Sequence, residues 1–447
     1  MNAAVTSIAV ASPYVGSAGT TASAAQTGSV VGLFVLLLTC TVLQRFGLTL
    51  GEISVSLALF AMYAVLGMAL LSDRLEISPA RFIAYCVCVA TVAASMLVNN
   101  NLAMGGSRTS LPSMLLLIVM YLPLVFRIIT TPSPGVDHAP IKYFCDIAFV
   151  CAIAGILQFY AQYFIRADWL FDFSPYIPPM FRVSGEFNTT ISVGANFKSN
   201  GFFFREPSGF SYVAALGFII EWLRYKRPVR LCCLALALLL SYSGTGLLTL
   251  LIALVFPLGI GTFVRLSVVA FAGALFYAML GDVLNLSFTL ERIGELDPGA
   301  TQSSGYMRYI GPMRFIAENL DATPWSLWLG YGSGAISRAS RDMFIFHDPT
   351  WAKLLYEYGI LGFVSFLALT IVVLRTATME GQIKAVFLLH WLIMGGLLLK
   401  AECVAMTFAF FALYSPPAVS SLDASAREPA AGGRWSSTWI GRRAPTA

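Results

Sequence analysis

His347 is the only histidine in either of the chain's two long hydrophilic stretches; Asp348 follows it, and Arg338 and Arg341 precede it. An imidazole titrates near neutral pH, so it can accept the proton of an attacking hydroxyl. Guanidinium forks grip phosphate oxygens two at a time, about twice as strongly as neutral donors do. A histidine beside arginines therefore suits group transfer in which a phosphate leaves. Arg205-Glu206-Pro207-Ser208-Gly209 is a second such place. Pro207 fits the first turn of a helix, which puts Arg205 and Glu206 at lipid headgroup level. The candidate set is His347, Glu357 and Glu206 for proton handling and orientation. Arg205, Arg338, Arg341 and Arg314 are the candidates for binding a pyrophosphate. Neither stretch contains Asp-x-Asp, a frequent metal–diphosphate signature. The expected chemistry is therefore metal-independent, uses no cofactor, and has arginine in place of Mg²⁺.

These residues need a scaffold, and composition says of what kind. Of 447 residues, 57% are hydrophobic and 11% charged, with a mean hydropathy of +0.76. Soluble domains carry about 25% charged residues, so lipid must be part of the solvent. Apolar runs occupy 30–44, 52–71, 80–98, 111–129, 141–165, 208–224, 229–243, 246–264, 266–281, 351–374, 384–400 and 402–419. Each span takes about 20 apolar residues, so the expected fold is all-α, a polytopic membrane bundle of about 12 transmembrane helices. Around Ser243-Gly244-Thr245, two runs form either two helices with a tight turn or one broken helix. With alternating spans, Arg74, Arg81, Arg127, Lys142, Arg224, Lys226, Arg227, Arg230, Arg265, Arg375, Lys384, Arg442 and Arg443 share one side. The Lys/Arg rule makes that side cytoplasmic, with both termini inside.

The two long connections, 166–207 and 282–350, then share the extracytoplasmic face. Loops longer than about 15 residues are uncommon unless functional or disordered. Trp169, Phe171, Phe173, Tyr176, Tyr306, Phe315, Trp325 and Trp328 argue for packed loops, with short helices near 305–320. Residues 1–28 read as a disordered N-terminal tail, 29–419 as the bundle with its loops, and 420–447 as a disordered, basic cytoplasmic tail. The eight cysteines lie nearly all in apolar runs and form no Cys-x-x-Cys, so neither a disulfide framework nor a zinc site is expected. No nucleic-acid partner is expected.

Gly330-Tyr331-Gly332-Ser333-Gly334, then His347, then Leu354-Leu355-Tyr356-Glu357-Tyr358-Gly359-Ile360-Leu361-Gly362 resembles the closing signature of the O-antigen ligase and Wzy-type polysaccharide polymerase superfamily. There a glycine-rich turn precedes a histidine, and a helix of type L-x-x-E-x-G-I-x-G follows. Phe204-Arg205-Glu206-Pro207-Ser208, opening a span before a basic turn, is similar to exopolysaccharide polymerases of that group. Ser241-Tyr242-Ser243-Gly244-Thr245-Gly246 stands where members often carry Ser-Arg-Gly; the arginine is missing here, so no ligand role is assigned to it. Arg-x10-Gly repeats of some polymerases are absent from both loops.

The resemblance implies a glycosyltransferase in the bacterial inner membrane whose donor is an oligosaccharide on undecaprenyl pyrophosphate. His347 would act as general base and the arginines would stabilise the leaving pyrophosphate. A flippase and chain-length or export proteins are the partners it implies, beside the lipid bilayer. Polymerisation into exopolysaccharide or O-antigen is favoured over ligation to lipid A core by the Arg-Glu-Pro-Ser segment. A lipid-linked oligosaccharide flippase or other transporter is the alternative of another class. Charges within the apolar runs are few and no internal repeat is evident, which weighs against it.

Overall fold

The computed structural model describes residues 31–50, 53–102, 109–129, 139–165, 168–183, 187–193, 196–281, 303–320, 324–343, 347–394 and 396–414. Both expected tails, Arg166 and Arg292 lie outside them. The chain is mostly helical: α1 (Val31–Cys40), α2 (Leu57–Leu71), α3 (Pro79–Leu102), α4 (Leu111–Tyr121), α5 (Ala139–Ala161), α6 (Pro207–Ile220), α7 (Pro228–Leu240), α8 (Gly244–Val255) and α9 (Ile260–Leu280). The second long hydrophilic stretch holds a π-helical turn at Tyr306–Ile310, then α10 (Gly311–Asn319), α11 (Pro324–Leu329) and α12 (Ala335–Met343). The last three helices are α13 (Thr350–Thr376), α14 (Gly381–Ile393) and α15 (Ala401–Phe411).

Among the described residues, stretches 79–101, 140–161, 261–279 and 350–376 are long and apolar enough to cross a membrane; the other apolar helices are shorter. This is a multi-pass membrane protein. The two runs meeting at Ser243 are two helices: the Ser243 hydroxyl accepts from the amide of Thr245 and opens α8. Short strands, not anticipated for an all-α fold, pair antiparallel as two-stranded sheets at Gly47–Leu50 with Ile53–Ser56, Leu75–Ile77 with Phe126–Ile128, and Ser192–Val193 with Asn196–Phe197.

Basic side chains tie helix ends together. Arg81, 1% exposed, donates to Thr376 Oγ1 and to the carbonyls of Leu124, Phe126, Val373 and Phe411. Arg224 forks onto Glu380 at 2.8 Å through both Nε and Nη2, and onto the Tyr414 hydroxyl. Arg230 reaches Asp146, and Arg227 reaches Glu221. Arg205 lies at the opposite end of α6 from Arg224, a helix of 14 residues or about 21 Å. The bundle therefore has one end rich in structural arginines and a second end where Arg205 and His347 lie.

The glycine-rich turn Gly330–Gly334 packs against α13. Gly359 interrupts that helix with φ 67° and ψ −166°, a region essentially restricted to glycine. The interruption leaves the carbonyls of Tyr356 and Glu357 without intrahelical partners. The amides of Tyr331 and Gly332 bond them at 2.9 and 2.8 Å, and Ser95 Oγ adds a second bond to Glu357 O. Asn99 Nδ2 holds Gly330 O, and Ser110 N holds Ser333 O. A Cβ on Gly359 would come within 2.3 Å of the Trp328 carbonyl carbon. Gly359→Ala is expected to lower stability by about 1–3 kcal/mol from backbone strain alone, with the clash adding to it. A lowered midpoint of thermal unfolding in detergent reports it; an unchanged midpoint would rule the account out.

Candidate functional site

The N-terminal ends of α6, α8 and α15 meet the segment leading into α13 around a cavity of 280 Å³. Arg205 and Glu206 come from the start of α6, Thr245 from α8, and His347 and Asp348 from just before α13. Arg308 comes from the π-helical turn, and Lys400 and Glu402 from the start of α15. Val213, Phe387, Leu397 and Met406 make an apolar floor. Tyr212 and His390 stack there with ring centroids 3.6 Å apart. Helix N-termini carry partial positive charge and free amides, so their convergence favours an anion.

Local geometry holds each group. Pro207 begins α6, and Glu206 caps it in extended conformation while accepting from the Ser208 hydroxyl. Arg308 Nη1 donates to Thr245 Oγ1 at 3.0 Å, and its Nη2 lies 3.9 Å from Glu206 Oε1. His347 N donates to Met307 O at 3.0 Å, tying the imidazole-bearing residue to the turn that carries Arg308. Gly396 N donates to Asp348 O at 2.7 Å, and Gly396 adopts φ 70°. That turn sets Lys400 and Asp348 near one another.

A buried relay runs behind the cavity. Lys353 Nζ lies 2.9 Å from Asp348 Oδ2 and 3.5 Å from Glu357 Oε1. The side chains of Lys353 and Glu357 are 6% and 0% exposed. Removing one partner of such a pair strands a buried charge, at a cost of about 3–5 kcal/mol. Lys353 thus stands between the carboxylates of Asp348 and Glu357, and Glu357 lies behind the cavity lining.

His347 is exposed on one side, but partial loss of hydration within the cavity disfavours a charged imidazole, and Arg308 and Lys400 add repulsion. His347 is consequently held below the ordinary histidine range, although Glu206 and Asp348 pull the other way. Burial opposes ionisation of Glu206 too, but Arg308, the Ser208 hydroxyl, Lys400 and His347 outweigh it, so its carboxyl sits below the usual carboxylate range. At neutral pH the site pairs a neutral imidazole with an ionised carboxylate. That is the protonation state a general base and its orienting group require.

Of the residues singled out from sequence, Arg205, Glu206 and His347 line the cavity together. Glu357 stands behind it. Arg314 does not line it; it is exposed on α10 and pairs with Glu318 at 2.6 Å. Arg338 packs against the glycine-rich turn, its Nη1 3.4 Å from where a Gly334 Cβ would lie, and is also not in the lining. The side chain of Arg341 lies outside the described residues. Sequence reasoning did not pick out Arg308, Lys400, Asp348 or Thr245. Arg308 was legible as one of several loop arginines. Lys400 ends an apolar run, where a lysine reads as an ordinary interfacial anchor. Among the described residues no three His, Cys, Asp or Glu side chains group as a metal-holding set.

The opposing influences on His347 give a signed expectation. Glu206→Gln removes a charge that raises its proton affinity, so its titration should move to lower pH. Arg308→Gln removes a charge that lowers it, so titration should move to higher pH. The pH profile of carbethoxylation at His347, read by peptide mass spectrometry, measures both. Displacement in the reverse sense, or none, would exclude the coupling.

A family model described as WcaD colanic acid polymerase matches residues 32–415 of the chain. No curated protein matches. The match spans α1 to the end of α15 and includes every residue of the cavity. It is a Wzy-type polymerase family, consistent with the superfamily whose signature the glycine turn, the histidine and the following helix resemble. On that match, this chain belongs to the WcaD colanic acid polymerase family, a family of membrane polysaccharide polymerases.

Proposed function

We propose that this protein joins undecaprenyl-pyrophosphate-linked oligosaccharide repeat units into a longer polysaccharide at the extracytoplasmic face of the bacterial inner membrane. In this reading about twelve apolar segments cross in alternation. The end tied by Arg81 and Arg224 faces the cytoplasm, and the cavity opens outward. The observation that carries it is the meeting of Arg205, Glu206, Arg308, His347 and Lys400 at one cavity, from segments far apart in sequence.

The chemistry follows from those groups. An acceptor hydroxyl gives its proton to neutral His347 as its oxygen attacks the anomeric carbon of the donor sugar. The bond from that carbon to the pyrophosphate oxygen breaks, and the electron pair leaves with the lipid pyrophosphate. Arg205, Arg308 and Lys400 stabilise the charge that develops there. Glu206, held by Ser208 and Arg308, orients the cationic side. Arg308 and Lys400 take the roles first assigned to Arg338 and Arg341. Flippases and chain-length or export proteins would supply repeat units and receive product.

Purified protein given lipid-linked repeat units should extend them. His347→Ala should lower chain growth by about 10²–10⁴-fold while the protein still inserts. Arg205→Lys keeps the charge but not the two-pronged contact, and should lose about tenfold or more. Normal product from His347→Ala would remove the base. Transfer to another lipid without chain growth would mean a ligase, and movement without new bonds a flippase.

A further inference from the structure

The cavity floor holds two polar side chains that the proposed chemistry does not use. Tyr212 of α6 and His390 of α14 both line it, stacked with ring planes 12° from parallel. Tyr212 is 8% exposed, and Nδ1 of His390 is buried without a hydrogen-bond partner. Among the described residues, neither the Tyr212 hydroxyl nor His390 Nε2 makes a hydrogen bond either. Their polar neighbours in sequence differ. The Ser211 hydroxyl donates to Ser208 O and accepts from Gly246 N, and Trp391 Nε1 donates to the Tyr121 hydroxyl at 2.8 Å. Side chains one position away are thus satisfied within the protein, while the stacked pair on the cavity is not.

A neutral imidazole carries one N–H and one lone pair. An enclosed N–H without an acceptor is rarer than an enclosed acceptor without a donor, so the buried Nδ1 takes the lone pair. That leaves Nε2, the nitrogen not enclosed by protein, as the N–H donor. The Tyr212 hydroxyl can donate or accept. One stacked pair therefore offers two uncharged hydrogen-bonding tips on apolar ring bodies. Tyr212 stands six residues beyond Glu206 along α6, about 9 Å deeper than the cationic rim. Anions are served by the cations at that rim. Uncharged donors and acceptors below it suit hydroxyl groups. An isoprenoid resting on the floor would leave both tips unpaired, which is costly where water is excluded.

We propose that Tyr212 and His390 determine which donor sugar is accepted, by hydrogen bonding hydroxyls of the sugar joined to the diphosphate. The inference rests on the polymerase reading and adds to it a contact with the sugar instead of the leaving group. With Arg205, Arg308 and Lys400 around the diphosphate, the attached sugar is the next group into the same cavity. A floor built to bond a hydroxyl rejects a sugar that lacks it, because the floor's own groups are then left unpaired. Stacking serves this reading: each ring covers a face of the other at 3.6 Å, which fixes both tips before the ligand arrives and lowers the ordering cost of binding.

Two probes separate sugar from leaving group. Lipid-linked repeat units extracted from cells lacking the protein, and undecaprenyl diphosphate without glycan, are each titrated calorimetrically into protein in detergent. Wild type should bind the repeat units more tightly. Tyr212→Phe keeps the stack and removes one hydroxyl, and His390→Phe keeps a ring and removes both nitrogens. Each should weaken binding of the repeat units by about three- to tenfold and leave undecaprenyl diphosphate unchanged. Arg205→Lys should weaken both probes alike, which reports on the diphosphate contact by itself. Equal weakening of both probes by the floor variants would make the pair a structural or isoprenoid contact and overturn the proposal. Unchanged affinity for repeat units in both variants, or no preference for them in wild type, would overturn it as well, with the polymerase reading left standing. Failure of wild type to bind either probe would remove the polymerase reading and this inference together. Should His390→Phe fail to fold, Tyr212→Phe decides alone.

Discussion

A helix that crosses lipid cannot be broken unless its freed carbonyls find donors inside the protein, because hydrocarbon offers none. The interruption of α13 at Gly359 meets that condition through the amides of Tyr331 and Gly332. The same two bonds that satisfy the helix fasten the segment carrying α10, α11 and α12 to the bundle. Everything attached to that segment inherits its position. The π-helical turn carrying Arg308 packs before α10, His347 is bonded to it through Met307, and α13 begins three residues after His347. The motif of glycine turn, histidine and glutamate helix is therefore first an architectural device. Its glycines allow backbone to meet backbone, and chemistry follows from what the contact holds in place.

Charge is distributed between the two ends of the bundle by different rules. At the end held by Arg81 and Arg224, guanidiniums are saturated by carbonyls and carboxylates, and they fix helix ends. At the cavity end, cations face open volume. Arg205 is exposed and lines the cavity, as does Lys400. Saturated cations stabilise the fold, while the open ones leave their charge facing the cavity. Carboxylates partition likewise: buried Glu357 faces Lys353 at 3.5 Å, whereas half-buried Glu206 remains at the cavity rim.

Membership of a polysaccharide polymerase family and the physical chemistry of the cavity point the same way. A neutral imidazole can take a proton at neutral pH, and a cationic rim can stabilise a departing diphosphate. In the proposed mechanism neither group alone would suffice, since a base without charge stabilisation leaves the leaving group in place. Their meeting depends on helix starts arriving at one level, which also aligns the positive ends of the helix dipoles toward that volume.

The amino-acid sequence alone determined the helical class and nearly every apolar segment, because a span of hydrocarbon demands a long run of apolar side chains whatever the neighbours. It marked Arg205, Glu206 and His347 because charged and titratable groups at the mouths of such runs stand out against an apolar background. It could not separate Arg308 from Arg314, two loop arginines of equal local appearance. One bonds Thr245 and faces Glu206; the other pairs with Glu318 on the surface of its own helix. Nor could it reveal Lys400, which owes its surroundings to segments distant along the chain. Local composition sets which residues must meet lipid. Which cation ends up saturated and which stays open is decided by long-range packing, because hydrogen-bond partners more than a helix turn away are supplied only by the tertiary fold.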